Sequence, residues 1–99
     1  MNWVNFIPLD VKVSVNSIID FLWLNPWKAR GVTFNNHIFI RHDYWPPSMK
    51  LIVHELKHVE QWKRDELLFP IKYVYYHFRY GYHKNPYEIE AKEAEEIIP

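Results

Sequence analysis

Apolar residues near the N-terminus recur with a helical period. Asp10 can cap a helix that runs to about Leu24, because its apolar positions return about every 3.6 residues. The pair Asn25-Pro26 would end this helix, since the residue before a proline is biased towards extended conformations. The pattern therefore predicts a first helix, whose inward positions are Val11, Val15, Ile18, Ile19 and Leu22.

Two short segments rich in β-branched and aromatic residues follow. Gly31–Phe34 and His37–Arg41 flank the pair Asn35-Asn36. Asparagine tolerates the positive φ angles that tight turns require. These features predict an antiparallel β-hairpin.

Helical patterns occupy the rest of the chain. Pro46-Pro47-Ser48 supplies a turn and a cap for a helix from about Ser48 to Lys63, with Ile52, Leu56 and Val59 on its core face. A third helix is expected from about Pro70 to Tyr80, because Gly81 is a typical helix stop. Asn85 and Pro86 then form the cap and first residue of a last helix. We therefore predict an α+β fold that is mainly helical, with about four helices and a small antiparallel β-hairpin.

Length and composition restrict the class of protein. The chain has 99 residues, which suits one domain over 1–99, and 48% of its residues are hydrophobic. Lysine plus arginine and aspartate plus glutamate both number 12, so no basic surface is expected and no nucleic-acid partner is predicted. Cysteine is absent, so a zinc site would have to consist of histidine and carboxylate ligands.

Hydropathy argues against a transmembrane segment. Eighteen uncharged apolar residues never follow one another, and Met1–Leu9 lacks a positively charged leader, so we expect a cytoplasmic protein without a membrane span. The aromatic segment Ile71–Tyr82 is too short to cross a bilayer and is interrupted by charged residues. We interpret it as a core helix, with a position at a membrane interface left open as the alternative.

The strongest chemical signal is the pentapeptide His54-Glu55-Leu56-Lys57-His58. Two histidines four residues apart lie on one side of a helix and can bind the same zinc ion. Glu55 can then act as the general base towards a water activated by the metal. This spacing predicts a zinc-dependent hydrolase, whereas the simpler interpretation is a helix with polar surface residues.

A catalytic zinc site needs a third protein ligand. We choose Glu88, because it lies in the first turn of the last helix, from where its carboxylate can face the second helix. The alternative for Glu88 is a capping box with Asn85 together with an ion pair to Lys92. Glu90 is the reserve ligand, and Glu93, Glu95 and Glu96 are expected to form a solvated face.

These motifs resemble a known family. The pentapeptide followed by Gln61, then Gly81-Tyr82, then Asn85–Ala91, is similar to gluzincin metallopeptidases, and specifically to their small soluble members, the minigluzincins. The similarity covers about Gly31 to Ala91. It implies a minimal gluzincin-like zincin domain that binds one catalytic Zn²⁺ and hydrolyses peptide bonds. By the same resemblance the zinc ligands would be His54, His58 and Glu88, and the base would be Glu55.

Two positions depart from the family pattern. Lys57 is a charged residue where the strict motif disfavours one, and Lys92 stands where many gluzincins carry an aspartate. That aspartate commonly supports a histidine ligand from the second coordination shell. The sequence therefore leaves the support of the histidines unassigned.

The resemblance also implies how a peptide or protein substrate would bind. In gluzincins an extended peptide lies along the edge strand that borders the cleft, which here would be Ile38-Phe39-Ile40, although an ordinary core strand is an equal alternative. A further donor should stabilise the tetrahedral oxyanion. Its candidates lie between the second and last helices and are Tyr76, His77, Tyr80, Tyr82 and His83. Aromatic residues that recur at helical spacing usually serve packing instead.

The C-terminus suggests regulation. The segment from about 93 to 99 ends in Ile97-Ile98-Pro99, and in minigluzincins C-terminal segments are implicated in latency. Such a tail could enter the cleft of its own molecule or of a neighbour, so we expect a monomer or a tail-exchanged oligomer, unless the isoleucines simply pack or fray. The alternative function is a catalytically idle, zinc-stabilised module that binds a partner protein.

Overall fold

The fold contains a small mixed β-sheet of three strands. The computed structural model describes residues 4, 7–15 and 30–98. Its strands are β1 (Lys12–Val15), β2 (Gly31–Phe34) and β3 (His37–Ile40), in the order β1-β3-β2. β2 and β3 are antiparallel, and Asn35 between them has a φ of 56°. The hairpin is therefore confirmed, and a third strand extends it.

Strand β1 corrects the prediction of a first helix. Residues Lys12–Val15 are extended and pair in parallel with β3, with Val13 opposite Ile38. Val11, Val13 and Val15 alternate with polar residues, so the same stretch also satisfies the two-residue period of a strand. The helical interpretation is wrong for these residues, and its remainder, from 16 to 24, lies outside the described residues.

Strand β3 is the central strand of the sheet. It has β1 on one side and β2 on the other, and the side chains of Ile38 and Ile40 are fully buried. The prediction that Ile38-Phe39-Ile40 forms a substrate-binding edge strand is therefore wrong. The alternative of a core strand with alternating burial describes it correctly.

Helix α1 (Met49–Asp65) packs on this sheet. Ser48 caps it, because its hydroxyl oxygen accepts a hydrogen bond from the backbone N–H of Leu51 at 3.1 Å. The hydrophobic core lies between the helix and the sheet and consists of Val11, Ile38, Ile40, Leu51 and Val59. The predicted boundaries of this helix are confirmed within two residues.

Helix α2 (Leu68–Tyr80) lies at the surface. Gly81 ends it with a φ of 85°, which confirms the predicted stop. Phe69 is the one residue of this helix that is buried, and it packs on Trp62 and Tyr87 with ring centroids 5.0 and 4.8 Å away. The interpretation of this segment as a core helix is therefore wrong.

Helix α3 (Pro86–Ala94) packs against α1 and is followed by a 3₁₀ turn, Glu95–Ile97, that also contacts α1. The described residues thus contain three α-helices rather than about four, in a mainly helical α+β arrangement. None of the helices in this part of the chain combines the length and apolarity needed to cross a membrane.

Candidate metal centre and its cleft

The two histidines of α1 point at one carboxylate. Nε2 of His54 lies 2.9 Å from Oε1 of Glu88, and Nε2 of His58 lies 3.2 Å from the same oxygen. Their spacing of four residues places both rings on the side of α1 that faces α3. The sequence prediction that His54, His58 and Glu88 come together is met by this geometry.

The N-terminus of α3 directs Glu88 to this point. The side chain of Asn85 caps the helix by accepting from the backbone N–H of Tyr87 at 3.0 Å, and Glu88 takes no part in that cap. Lys92 lies 4.0 Å from Glu95 rather than pairing with Glu88. The capping box and ion pair that competed for Glu88 are therefore not formed.

The three side chains suit a metal ion. One ligand atom from each of His54, His58 and Glu88 lies within 4.8 Å of the other two, and all three residues are largely buried. Tetrahedral ligands at about 2.1 Å from a zinc ion stand about 3.4 Å apart, close to the separations observed between these nitrogens and Oε1. Glu90, the reserve ligand, instead accepts hydrogen bonds from Gln61 at 3.0 Å and from Arg64 at 3.3 Å.

Hydrogen bonds at the opposite ring nitrogens set the tautomer of both histidines. Nδ1 of His54 lies 2.7 Å from a carboxylate oxygen of Glu95, and Nδ1 of His58 lies 2.8 Å from Oε1 of Gln61. Because these oxygens accept, each Nδ1 carries a proton, and in the neutral ring each Nε2 has a free lone pair for a metal. The amide of Gln61 is oriented by its own bond to the carbonyl of Tyr87 at 3.0 Å.

Glu95 was not predicted in this role. The sequence interpretation placed it on a solvated face with Glu93 and Glu96, yet it is 8% exposed whereas those two are exposed. Glu95 supports His54 from the second coordination shell, a role that the sequence left unassigned because Lys92 stands at the position expected for it. Its position seven residues after Glu88, two helical turns on, was the signal that could have identified it.

Tyr73 is a second residue that the sequence reasoning missed. Its hydroxyl donates a hydrogen bond to Oε2 of Glu88, so the two oxygens of that carboxylate face different partners. In the sequence, Tyr73 belongs to an aromatic stripe with helical spacing, a pattern that usually indicates packing. Only the contact between α2 and α3 distinguishes it from its neighbours.

The buried carboxylate and imidazoles stabilise each other's charges. Burial alone would raise the pKa of Glu88, but its hydrogen bonds with both histidines hold that pKa well below its usual range. Burial likewise opposes the charge of His58, yet Glu88 and the nearby charge of Glu55 raise the pKa of His58 to about 9. The same two glutamates raise the pKa of His54 against the effect of burial. A metal must therefore displace protons from both rings.

Glu55 is buried beside the three ligands. It is 3% exposed, and its Oε2 accepts a hydrogen bond from the hydroxyl of Thr33 on β2 at 2.8 Å. A Cβ atom at Gly31 would lie 3.2 Å from Oε1 of Glu55, so glycine permits the close approach of β2 to this carboxylate. The predicted base is thus held between α1 and β2, with Thr33 occupying one of its two oxygens.

A largely apolar cleft opens onto the site. Its cavity has a volume of about 280 Å³, and Glu55, His54, His58 and Glu88 all line it. Apolar side chains of α1 and α2 also line it: Trp62, Phe69, Val74 and Phe78. β2, rather than the predicted β3, is the strand that borders this cleft.

The predicted oxyanion donors separate into two groups. His77 and Tyr82 line the cleft, and burial together with the charge of Glu88 raises the pKa of Tyr82, so its hydroxyl keeps its proton at neutral pH. Tyr80 and His83 are exposed and Tyr76 is half-buried, and none of these three lines the cleft, so the structure does not place them at the site.

The C-terminal segment contacts the site outside the cleft. Glu95 contacts His54, whereas Ile97 is 73% exposed, and none of the residues from 93 to 98 lines the cleft. Pro99 lies outside the described residues. The role of this segment in latency stays a prediction.

Comparisons with known proteins gave no match to this chain. No protein-family model matches the chain, and searches of curated proteins and of solved structures give no match either. The site geometry is therefore the basis for a functional proposal.

Proposed function

We propose that this protein is a zinc-dependent metallopeptidase of the gluzincin type. The observation that carries the proposal is the convergence of His54, His58 and Glu88 at one point, with Glu55 buried beside them at the wall of an apolar cleft. Three protein ligands with an adjacent cleft are typical of catalytic rather than structural zinc sites.

The contacts of each residue indicate its role in the proposed reaction. A zinc ion held by Nε2 of His54, Nε2 of His58 and Oε1 of Glu88 would polarise a substrate carbonyl and acidify water. Glu55 would take a proton from the attacking water and deliver it to the leaving amine. Thr33 holds Oε2 of Glu55, which leaves the other oxygen of that carboxylate for the proton.

Strand β2 supports a mode of substrate binding. The backbone N–H of Arg41 donates a hydrogen bond to the carbonyl of Arg30 at 3.0 Å. Along an antiparallel strand, residues whose backbone groups bond the partner strand alternate with residues whose backbone groups point away from it. The backbone groups of Gly31 and Thr33 therefore point away from β3. The carbonyl of Thr33 already accepts a hydrogen bond from Nε1 of Trp62 at 3.1 Å. An extended peptide would therefore add to this edge through the backbone groups of Gly31 and the N–H of Thr33. The apolar cleft would accept one large hydrophobic side chain of that peptide.

The roles of the two remaining donors follow from their position. Tyr82 and His77 line the cleft, and one of them would donate a hydrogen bond to the oxyanion, an interaction typically worth about 3 kcal/mol. Tyr73 would orient Glu88, because its hydroxyl already donates to Oε2.

A zinc-stabilised binding module is the competing function. A structural zinc is held by four protein ligands, whereas the described residues provide a group of three. Such a module also has no use for a buried glutamate beside the ligands. The arrangement of Glu55 therefore favours the enzyme.

Substitution of Glu55 separates the two functions. Glu55→Gln should leave zinc affinity within about twofold of the wild type but lower hydrolysis of a fluorogenic peptide library by at least a hundredfold, roughly the scale of general-base catalysis. Glu60→Gln is the matched control, because Glu60 is an exposed carboxylate on the same helix. Zinc binding without hydrolysis, both by the full chain and by a chain that ends at Glu96, would reject the peptidase and favour the module.

A further inference from the structure

Helix α2 exposes an apolar face to solvent. Six large apolar side chains between positions 67 and 78 are 52–82% exposed. At 100° per residue they fall within an arc of about 120°, which is the width of a typical buried helix face. This outer face of α2 consists of Leu67, Leu68, Ile71, Val74, Tyr75 and Phe78.

The segment that carries this face has charges of one sign. From Leu67 to Tyr87 the sequence has no aspartate or glutamate but includes Lys72, Arg79 and Lys84, although the whole chain is neutral. Lys72 and Arg79 are exposed and follow one another along one margin of the apolar arc. Acidic residues are thus concentrated elsewhere in the chain.

We propose that the outer face of α2 binds the surface of a membrane that contains anionic lipid. An amphipathic helix of this kind lies in the plane of the interface, with its apolar side chains inserted about 5–10 Å into the acyl boundary. Lys72 and Arg79 would extend to the anionic headgroups. A second copy of the chain fits less well, because it would bring the same basic margin and no acidic residues from this segment.

The location of the face has a consequence for the cleft. Val74 and Phe78 belong both to the outer face of α2 and to the wall of the cleft. Binding to a bilayer through this face would hold the mouth of the cleft at the membrane surface. The inference itself rests on exposure and charge and does not depend on the proposed peptidase activity.

Vesicle co-sedimentation of the full chain tests this inference. The protein should bind vesicles of phosphatidylcholine mixed with phosphatidylglycerol and bind pure phosphatidylcholine vesicles much more weakly. Leu67→Ser combined with Ile71→Ser should weaken binding more than about tenfold, and Lys72→Glu should weaken it about fivefold or more. None of these three residues lines the cleft.

Matched controls lie on other elements. Leu9→Ser removes a leucine that is more exposed than Leu67 or Ile71, and Lys50→Glu reverses an exposed lysine on α1. Both variants should bind anionic vesicles like the wild type. Circular dichroism checks that each variant is folded. Absence of vesicle binding, equal binding to neutral vesicles, or equal losses in the controls would overturn the inference. A dimer that Leu67→Ser and Ile71→Ser abolish, without vesicle binding, would show that a second copy covers this face.

Discussion

At the scale of residues, the site depends on what holds the ligands as much as on the ligands. The Nδ1 atoms of His54 and His58 bind oxygens of Glu95 and Gln61, and these bonds leave Nε2 of each ring directed at Glu88. Partners of this kind raise ligand basicity and restrict ring rotation. Glu95 supplies from the C-terminal turn the support that Lys92 cannot.

Removal of the Glu95 carboxylate should therefore weaken metal binding. Glu95→Ala should reduce zinc affinity about 10- to 100-fold, and Glu95→Gln by less, because the amide oxygen still accepts from Nδ1 of His54. Competition with a chromophoric chelator measures the affinity. Glu96→Ala, an exposed neighbour, is the control. Wild-type affinity in Glu95→Ala would show that the contact with His54 is dispensable.

The shifted pKa of His58 predicts a pH dependence of the metal-free protein. A histidine whose pKa rises from 6.5 to about 9 on folding stabilises the folded state fully below pH 6.5, and this stabilisation is lost as the pH rises through about 9. With a chelator present, Tm should fall by at least about 5 °C over this window. Zinc affinity should rise over the same window, because the metal competes with fewer protons. A Tm that is constant between these pH values would contradict the charged pair of His58 and Glu88.

At the scale of elements, the start of α3 joins two helices. Asn85 is fully buried, caps α3 through Tyr87, and donates from its side-chain amide to the backbone carbonyl of Tyr73 on α2 at 3.1 Å. One side chain thereby fixes both Glu88, at the first turn of α3, and the turn of α2 that carries Tyr73. The sequence indicated the cap but gave no sign of the second bond.

Asn85→Ala should destabilise the protein more than the loss of an ordinary cap. We expect a loss of about 2–3 kcal/mol, because a helix cap is worth about 1 kcal/mol and the part-buried hydrogen bond to the carbonyl of Tyr73 is lost as well, at about 1–1.5 kcal/mol. Ser48→Ala, which removes only the cap of α1, should lose about 1 kcal/mol. Urea unfolding measures both. Equal losses in the two variants would show that the bond to Tyr73 adds no stability.

At the scale of the whole molecule, the C-terminal turn returns to the first half of the chain. Glu95 joins its residues to α1, 41 positions earlier, while the apolar end that follows is exposed at Ile97. A deletion in this region therefore has two separable effects. One acts on the metal site through Glu95, and the other acts on any latency that the tail maintains.

Two truncations distinguish these effects. A chain that ends at Glu96 keeps Glu95 and should bind zinc within about twofold of the full chain, whereas one that ends at Ala94 should bind about 10- to 100-fold more weakly. If residues 97–99 maintain latency, the chain that ends at Glu96 should also hydrolyse peptides faster than the full chain. Equal hydrolysis by the full chain and the chain that ends at Glu96 would reject latency. Equal zinc affinity in the two truncated chains would reject the role of Glu95.

Local pattern determined much of this protein. The hairpin, the boundaries of α1, the stop at Gly81 and the cap at Asn85 are set by neighbouring residues, and they agree with the structure. The pairing of His54 with His58 follows from helix geometry alone. Each of these features depends on contacts within a few residues, which the order of side chains specifies directly.

Only the tertiary structure decided the rest. Lys12–Val15 fits the period of a helix as well as that of a strand, and its parallel pairing with β3 across the intervening chain selects the strand. The same holds for the central place of β3 and for the exposed face of α2. Glu95, Tyr73 and Thr33 are ordinary polar residues in the sequence, and they join the site because long-range packing brings them to His54, Glu88 and Glu55. Burial and strand neighbours are properties of contacts between distant segments, so the local pattern of apolar and polar residues carries no record of them.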